Sequence, residues 1–337
     1  MTLKRTLIMA EAGLNHNGDP ALAHALVEAA REAGADVVKF QTIFNPETRM
    51  ARQAPKAAYQ LQNTGADESA LDMVRKLVLG PEEFVALKRH AEDIGLEFLS
   101  TAFDQKCADF LRGLGLKRWK IPSGELTNLP YLRHIGASGG PAIMSTGMAN
   151  LGEVETALEI LEKNGTPPER ITLLHCTTEY PAPAAEVNLR AMTTLRAAFP
   201  QVAGVGYSDH TDGPEIAVAA VALGAVVIEK HLTLDKTLPG PDHQASLEPR
   251  RFQEMVRYIR RVEEALGDGR KRPSPSERLN LPVARRSLFA LRPIRKGEIF
   301  SEDNMGVKRP GTGISPMRWD EFYGRPATRD YDADEPL

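Results

Sequence analysis

The stretch "GAVVIEKHLTLDKTLPGPDH", Gly224 to His243, decides how this chain is read. Its front half, "AVVI", is the apolar, β-branched run of a strand buried on both faces, yet it passes without a break into Glu229, Lys230 and His231. A buried strand that ends in charge and imidazole suits a parallel sheet whose carboxyl-terminal edge carries chemistry. Seven similar runs precede it from Thr6 onward: "TLIMAEAG", "DVVKFQT", "EFLSTAF", "RWKIPSG", "AIMSTG", "ITLLHCT" and "AGVGYSD". Helix-period segments lie between most of them. In "NLGEVETALEILEKNG", Leu151, Val154, Ala157, Leu158 and Leu161 make one apolar stripe and Gly165 closes the helix. Strand and helix repeated eight times within ~250 residues predict an α/β fold of the (β/α)8 barrel type. A doubly wound open sheet is the alternative, weakened because no G-x-G-x-x-G follows the first strand.

Composition excludes several function classes. A formal charge of -3 spread along 337 residues leaves only the short basic cluster Arg270–Arg272, too little for a nucleic-acid footprint. Cys107 and Cys176 are the only cysteines, too few for a disulfide framework or a thiolate metal site, so a reducing, cytoplasmic setting is expected. Lys4 and Arg5 precede only "LIMA" before Glu11, which is no secretory core, and no apolar run approaches membrane-spanning length. Neither nucleic acid nor membrane is expected as a partner. The connection after the second strand, residues 44–79, is much longer than an ordinary barrel loop, and long loops at that face carry function.

Every predicted strand end turns polar: Glu11, Lys39 with Gln41, Thr101, Lys120 with Ser123 and Glu125, Ser145, Thr177, Ser208 with His210, and Glu229 with His231. A strand's period of two sends the i and i+2 members of such pairs to one face, the barrel interior. A lone His or Ser at a strand end is more often a hydrogen-bonded structural group, but eight coincident positions favour a site. Buried lysines at Lys39 and Lys120 each cost several kcal/mol unless paired, so the mouth is expected to hold an anion among the hydroxyls of Thr101, Ser123, Ser145 and Ser208. His210 and His231 end consecutive strands and are placed to share a divalent cation, with Glu11, Glu125 and Glu229 free to orient ligands or move protons. Two histidines alone are a weak metal signal, and His16, His175 and His243 compete for the role.

These segments resemble the sialic acid synthase family, which includes N-acetylneuraminate and legionaminate synthases. The resemblance rests on "AEAGLNHNGD", "VVKFQT", "FLSTAFD", "WKIPSGELTNLP", "MSTGM", "LHCTTEYPAP", "GYSDHT", "IEKHLTLDKTLPGPDH" and "VKRPGTGISP", in that order. It implies a transferase that condenses phosphoenolpyruvate with an N-acylated mannosamine-type sugar to a nine-carbon 2-keto acid and phosphate. By the resemblance, Lys39, Thr101, Lys120, Ser123, Ser145 and Ser208 hold phosphoenolpyruvate, and Gln41, Tyr180 and Asp242 contact the sugar. His210 and His231, supported by Glu229, bind the metal, manganese first, with magnesium and cobalt as the other candidates. Glu125 is the leading proton carrier and Glu11 its rival. N-acetylneuraminate synthesis is the main expectation. Legionaminate synthesis from 2,4-diacetamido-2,4,6-trideoxymannose is the alternative, and no single residue separates them.

Composition changes after "EPRRFQEMVRYIRRVEEALG". The expected division is a barrel over residues 1–267, a linker over 268–282 rich in Pro and charge, and a small mostly-β domain over 283–337 that resembles the antifreeze-like (SAF) β-clip domain of these synthases. The terminal "RDYDADEPL" reads as frayed. Arg309, in "VKRPGTG", matches an arginine that in the family reaches the sugar in the other subunit, so the resemblance implies a domain-exchanged homodimer. Two readings from other classes remain: a Schiff-base aldolase using Lys39 or Lys120, and a non-catalytic sugar-binding protein.

Overall fold

The structure is a computed structural model that describes residues 5–337; Met1–Lys4, including the Lys4 of the leader reading, lie outside the described residues. The chain forms two compact units that divide between Gly267 and Asp268.

The first unit contains the eight expected strands: β1 (Leu7–Gly13), β2 (Val37–Thr42), β3 (Glu97–Ala102), β4 (Trp119–Ile121), β5 (Ala142–Ser145), β6 (Ile171–His175), β7 (Gly204–Asp209) and β8 (Val227–His231). They form one sheet in the order β3-β2-β1-β8-β7-β6-β5-β4, and every ladder between them is parallel. β3 and β4, at the two ends of this order, lie side by side and close the cylinder. Helices between the strands bury their apolar stripes against the outer face in one large core. The helix Leu151–Lys163 shows why it starts and what it buries: Asn150 and Glu153 form a capping box, and Val154, Ala157, Leu158 and Leu161 are buried. Leu151, expected in the stripe, is 44% exposed, because it occupies the first helical position beside the cap.

Inside the barrel the side chains lie in layers. Met9, Val37, Leu99, Ile143, Leu174 and Val227 make a dry apolar plug. Gly206 belongs at that level, and a Cβ there would meet the Val227 carbonyl oxygen at 2.4 Å and Leu174 Cδ2 at 2.7 Å, so only glycine fits. Two residues further along each of those strands, on the same face, stand Glu11, Lys39, Thr101, Ser145, Cys176, Ser208 and Glu229. The switch from apolar plug to polar layer therefore follows from strand period and register alone. Glu11 is opposite both Lys39 and His231, Gln41 opposite Thr101, and Ser208 opposite Glu229.

In the second unit, part of the expected linker is ordered. Pro275–Ala284 is a helix because Ser274 accepts from the Glu277 N–H while Glu277 reaches back to the Ser274 N–H, a capping signal the Pro-rich reading overlooked. β9 (Ser287–Ala290) and β10 (Met305–Lys308) pair antiparallel over a small core of Leu288, Ala290, Ile294, Phe300, Met305, Ala327 and Tyr331. The chain terminus is tied down rather than frayed: the Leu337 N–H donates to Leu288 O, and Ala290 N–H to Glu335 O.

Candidate active site

The polar layer floors an open cavity at the carboxyl-terminal end of the barrel. At its centre two lysines and two carboxylates are buried together. Lys39 Nζ lies 2.5 Å from Glu11 and 3.6 Å from Glu229, and Lys120 Nζ lies 3.4 Å from Glu229. Hydroxyls complete the lysines' shells: Lys39 donates to Thr101 Oγ1 at 3.3 Å and Lys120 to Ser145 Oγ at 2.8 Å. Ser208 Oγ donates to Glu229 Oε1 at 2.9 Å, and Gln41 Nε2 to Glu11 Oε1 at 3.2 Å. The lysines are thus balanced by carboxylates of the chain itself, where the sequence reading expected only a bound anion.

The four charges respond differently to burial. Burial alone would raise Glu229, but Lys120 and Lys39 together hold it far below the ordinary range, so it stays ionised. Burial raises Glu11 to about 7, more than Lys39 lowers it. Lys39 is also desolvated, yet Glu11 and Glu229 keep it above its ordinary value, whereas burial and the neighbouring Lys39 push Lys120 down in spite of Glu229.

Beside this group stand two imidazoles, His210 and His231, with ring centroids 5.5 Å apart. His210 Nδ1 is 2.6 Å from Thr177 O, and a carbonyl only accepts, so Nδ1 carries the proton and Nε2 keeps its lone pair. His231 Nδ1 is buried without a hydrogen-bond partner. Burial lowers His210 to about 4 and His231 well below its ordinary value, so both rings are neutral at pH 7. Neutral imidazoles facing one cavity, one whose Nε2 has only the Ser208 hydroxyl nearby at 3.3 Å, its proton given to Glu229, and one with an unpartnered nitrogen, fit a divalent cation. No three His, Cys, Asp or Glu side chains among the described residues are grouped to hold one, so the fit is to an ion with two protein ligands and otherwise water or substrate oxygens.

The cavity is also lined by Ser123, Tyr180 and Asp242. Ser123 Oγ accepts from the Gly147 N–H at 3.0 Å, and Tyr180 stacks on His210 at 4.0 Å. Asp242 is raised to about 6 by burial. Glu125 departs from expectation. β4 ends at Ile121 and a 3-10 turn runs over Ser123–Glu125, so the two-residue alternation stops and the tighter winding swings Glu125 away from the face of Ser123. Its carboxylate accepts from Asn128 at 2.5 Å and faces a separate groove. Thr177 offers only its carbonyl, and Thr178 lines the cavity in its place. The competing histidines do not line the cavity: His16 Nδ1 accepts from Gly18 N–H while its Nε2 is buried without a partner, His175 Nε2 donates to Val187 O, and His243 bonds Thr233 and Asn17. Arg309 is carried by the second unit, exposed just beyond β10.

Sequence reasoning missed the side chains that the long β2 connection brings to the cavity, Arg49, Met50, Tyr59, Gln60, Met73 and Val74. The segment is pinned by Asn63 Nδ2 to Pro241 O (2.7 Å) and Thr48 Oγ1 to Asp104 (2.8 Å). Tyr59 stacks near Tyr180 at 4.9 Å. The length of the loop signalled function, but Arg49 and Met50 lie outside any helix or strand, and Tyr59, Gln60, Met73 and Val74 lie on helices Ala58–Thr64 and Ala70–Arg75, each under two full turns and too short to show a readable stripe. Cys176 was legible, two residues beyond the plug residue Leu174.

Residues 26–271 match the NeuB family model, and residues 285–337 match the SAF domain. The chain belongs to the NeuB family. It is 55% identical to the N,N'-diacetyllegionaminic acid synthase of Campylobacter jejuni, over 99% of both chains. It is 46% identical to the protein of the same name from Legionella pneumophila, over 94% of this chain and 89% of that one. Among solved structures, the N-acetylneuraminic acid synthetase of Leptospira borgpetersenii superposes with a TM-score of 0.72 at 36% identity, covering 82% of this NeuB-family chain and 90% of the other. No helix among the described residues is long and apolar enough to cross a membrane.

Proposed function

We propose that this protein condenses phosphoenolpyruvate with 2,4-diacetamido-2,4,6-trideoxymannose to give N,N'-diacetyllegionaminic acid and phosphate. The observation that carries the sugar is the 55% identity to a diacetyllegionaminic acid synthase along the whole of both chains, which favours it over N-acetylneuraminate synthesis. In the reaction, C3 of the enol attacks the aldehyde carbon of the open-chain sugar, water adds at C2, and the C2–O bond breaks to release phosphate and leave the 2-keto acid.

Lys39, Lys120 and the hydroxyls of Thr101, Ser123, Ser145 and Ser208 hold the phosphate and carboxylate and offset the charge that grows on the leaving phosphate. Glu229, locked between both lysines and Ser208, keeps those ammonium groups aimed into the cavity. A divalent cation held by His210 and His231, manganese being the first candidate, supplies Lewis acidity and a water of lowered pKa. Glu11, raised to about 7 and oriented by Gln41, carries the proton, a role the position of Glu125 does not suit. Tyr180 and Asp242 face the sugar. The protein works as a homodimer in which Arg309 of each chain completes the partner's site. The surroundings of Lys39 speak against an aldolase there, since Glu11 and Glu229 keep its ammonium form above the ordinary value, while Lys120, pushed down by burial and by Lys39, is the amine on which borohydride trapping decides.

The test is to supply phosphoenolpyruvate and manganese with either this sugar or N-acetylmannosamine, following phosphate release and product mass. Faster turnover of N-acetylmannosamine, or none of either, would refute the reading.

A further inference from the structure

The cavity is not polar throughout. Outside the main core lies a separate apolar cluster made by the long β2 connection packing on the barrel: Leu14, Ile43, Met73, Val74 and Leu77 are buried in it, with Met50 and Phe103 half-buried against it. Five of these seven residues, Leu14, Met50, Met73, Val74 and Phe103, also line the cavity. The charged layer is carried by strand ends at the floor, whereas Met50, Met73 and Val74 come from the long connection and Leu14 and Phe103 from the loops just past β1 and β3. The cavity thus joins an ionic floor to an apolar wall. At the edge of that wall the Arg49 guanidinium lies 4.0 Å over the Phe103 ring and also faces the cavity. Phosphoenolpyruvate is small and anionic and suits the floor, which leaves the wall for the other substrate. A wall of thioether, branched aliphatic and aromatic groups with one guanidinium at its edge matches methyl groups beside an acyl oxygen, and its apolar face gives an added hydroxyl no partner; Tyr59 and Gln60, from the same connection, line the cavity outside this cluster.

We propose that Met50, Met73, Val74 and Phe103, with Arg49 at their edge, are the specificity wall that selects a 6-deoxy, 4-acylamino sugar over its hydroxylated counterpart. This rests on the functional reading above and adds the residues that enforce it. Apolar walls discriminate against one added hydroxyl by up to about a hundredfold, which sets the scale of the preference. The competing explanation is that the cluster only packs the connection against the barrel. The two differ in their consequence: loss of packing lowers turnover of every sugar in parallel, while loss of a selective wall changes the ratio between sugars.

The experiment measures kcat/KM for 2,4-diacetamido-2,4,6-trideoxymannose and for N-acetylmannosamine with the manganese-loaded full-length enzyme, in wild type, Met50→Gln and Met73→Gln. Gln keeps the length and places an amide on the wall. Met73 is buried and its variant is the more exposed to folding loss, so the half-buried Met50 provides the second measurement. The expected result is a fall of roughly tenfold in the diacetamido-to-monoacetamido ratio in each folded variant. A ratio in Met50→Gln within about twofold of wild type overturns the proposal and leaves the proposed function standing. Wild-type preference for N-acetylmannosamine overturns the proposed function itself, and the wall's role with it.

Discussion

Replacing Lys230 by Met tests how the barrel wall holds its two histidines. Lys230 and Asp209 face away from the cavity, in register across β7 and β8, and both side chains are 0% exposed. Their charged atoms lie 3.0 Å apart, Lys230 donates to Thr211 O, and Asp209 Oδ1 accepts from Thr211 N–H (2.9 Å) and Oγ1 (2.7 Å). Each is flanked by cavity residues: Ser208 and His210 on one strand, Glu229 and His231 on the other. Lys230→Met leaves the buried Asp209 carboxyl without its counter-charge, a change that costs about 3–5 kcal/mol when a buried pair loses one member. At ~2–4 °C per kcal/mol for a domain of this size, Tm should fall by roughly 6–20 °C. The double variant Asp209→Asn/Lys230→Met removes the stranded charge and keeps an acceptor for Thr211, so it should recover at least half of the loss. Because the pair orients the strand ends that carry the histidines, the single variant should also bind manganese about 10–100-fold more weakly. Scanning calorimetry and manganese titration by electron paramagnetic resonance read the two effects. A single variant within 2 °C of wild type, or a double variant no better than the single, would refute this account.

Three further outcomes follow from the site. Chelation should abolish activity and manganese restore it, since an ion with two protein ligands exchanges readily; full turnover by the His210→Ala/His231→Ala double variant would sink the metal assignment. Lys39→Arg and Lys120→Arg should raise the KM for phosphoenolpyruvate, and borohydride treatment with substrate should leave the intact mass unchanged, whereas a substrate-sized adduct on either lysine would revive the aldolase reading. Arg309→Ala and Lys120→Ala dimers should each be nearly inactive, yet mixing them should restore activity in hybrids; verified hybrids that stay inactive would rule out the crossing.

What was legible in the sequence depended on periodicity. The strand rule placed Glu11, Lys39, Thr101, Lys120, Ser145, Ser208 and Glu229 on one face, and these side chains do converge. The same rule could have found Asp209 and Lys230: each lies between two inward residues on a neighbouring strand, so each must face outward, beside the other. Where the period breaks, so did the reading. Glu125 lies past the end of β4 on a 3-10 turn, Arg49 and Met50 lie outside any helix or strand, and Tyr59 lies on the short helix Ala58–Thr64, whose inward side is set by contacts such as Asn63 with Pro241. Ser274 and Glu277 carried a capping signal that the surrounding prolines obscured.

The charge of the floor sets a condition that ties Glu11 to substrate binding. Lys39 and Lys120 against ionised Glu11 and Glu229 sum to zero, so fully ionised phosphoenolpyruvate enters a site with no surplus positive charge. A divalent cation on His210 and His231, as proposed above, would offset part of the substrate's charge. The remainder falls on the group that most readily gives up its own charge, and that is Glu11, held near 7, while Glu229 is held far too low to accept a proton. Binding should therefore raise Glu11 further and draw a proton from solution. The sign follows from linkage: a group whose pKa rises on binding takes up protons above its free value, and the uptake vanishes well below it. Uptake should therefore be larger at pH 8, where Glu11 is the more fully ionised before binding, than at pH 6. Calorimetric titration of the manganese enzyme with phosphoenolpyruvate at pH 8, in two buffers of different ionisation enthalpy, measures the number directly. Uptake that persists in Glu11→Gln would move the proton to another group, and no uptake in wild type would mean that the floor accepts the anion without adjusting its charge.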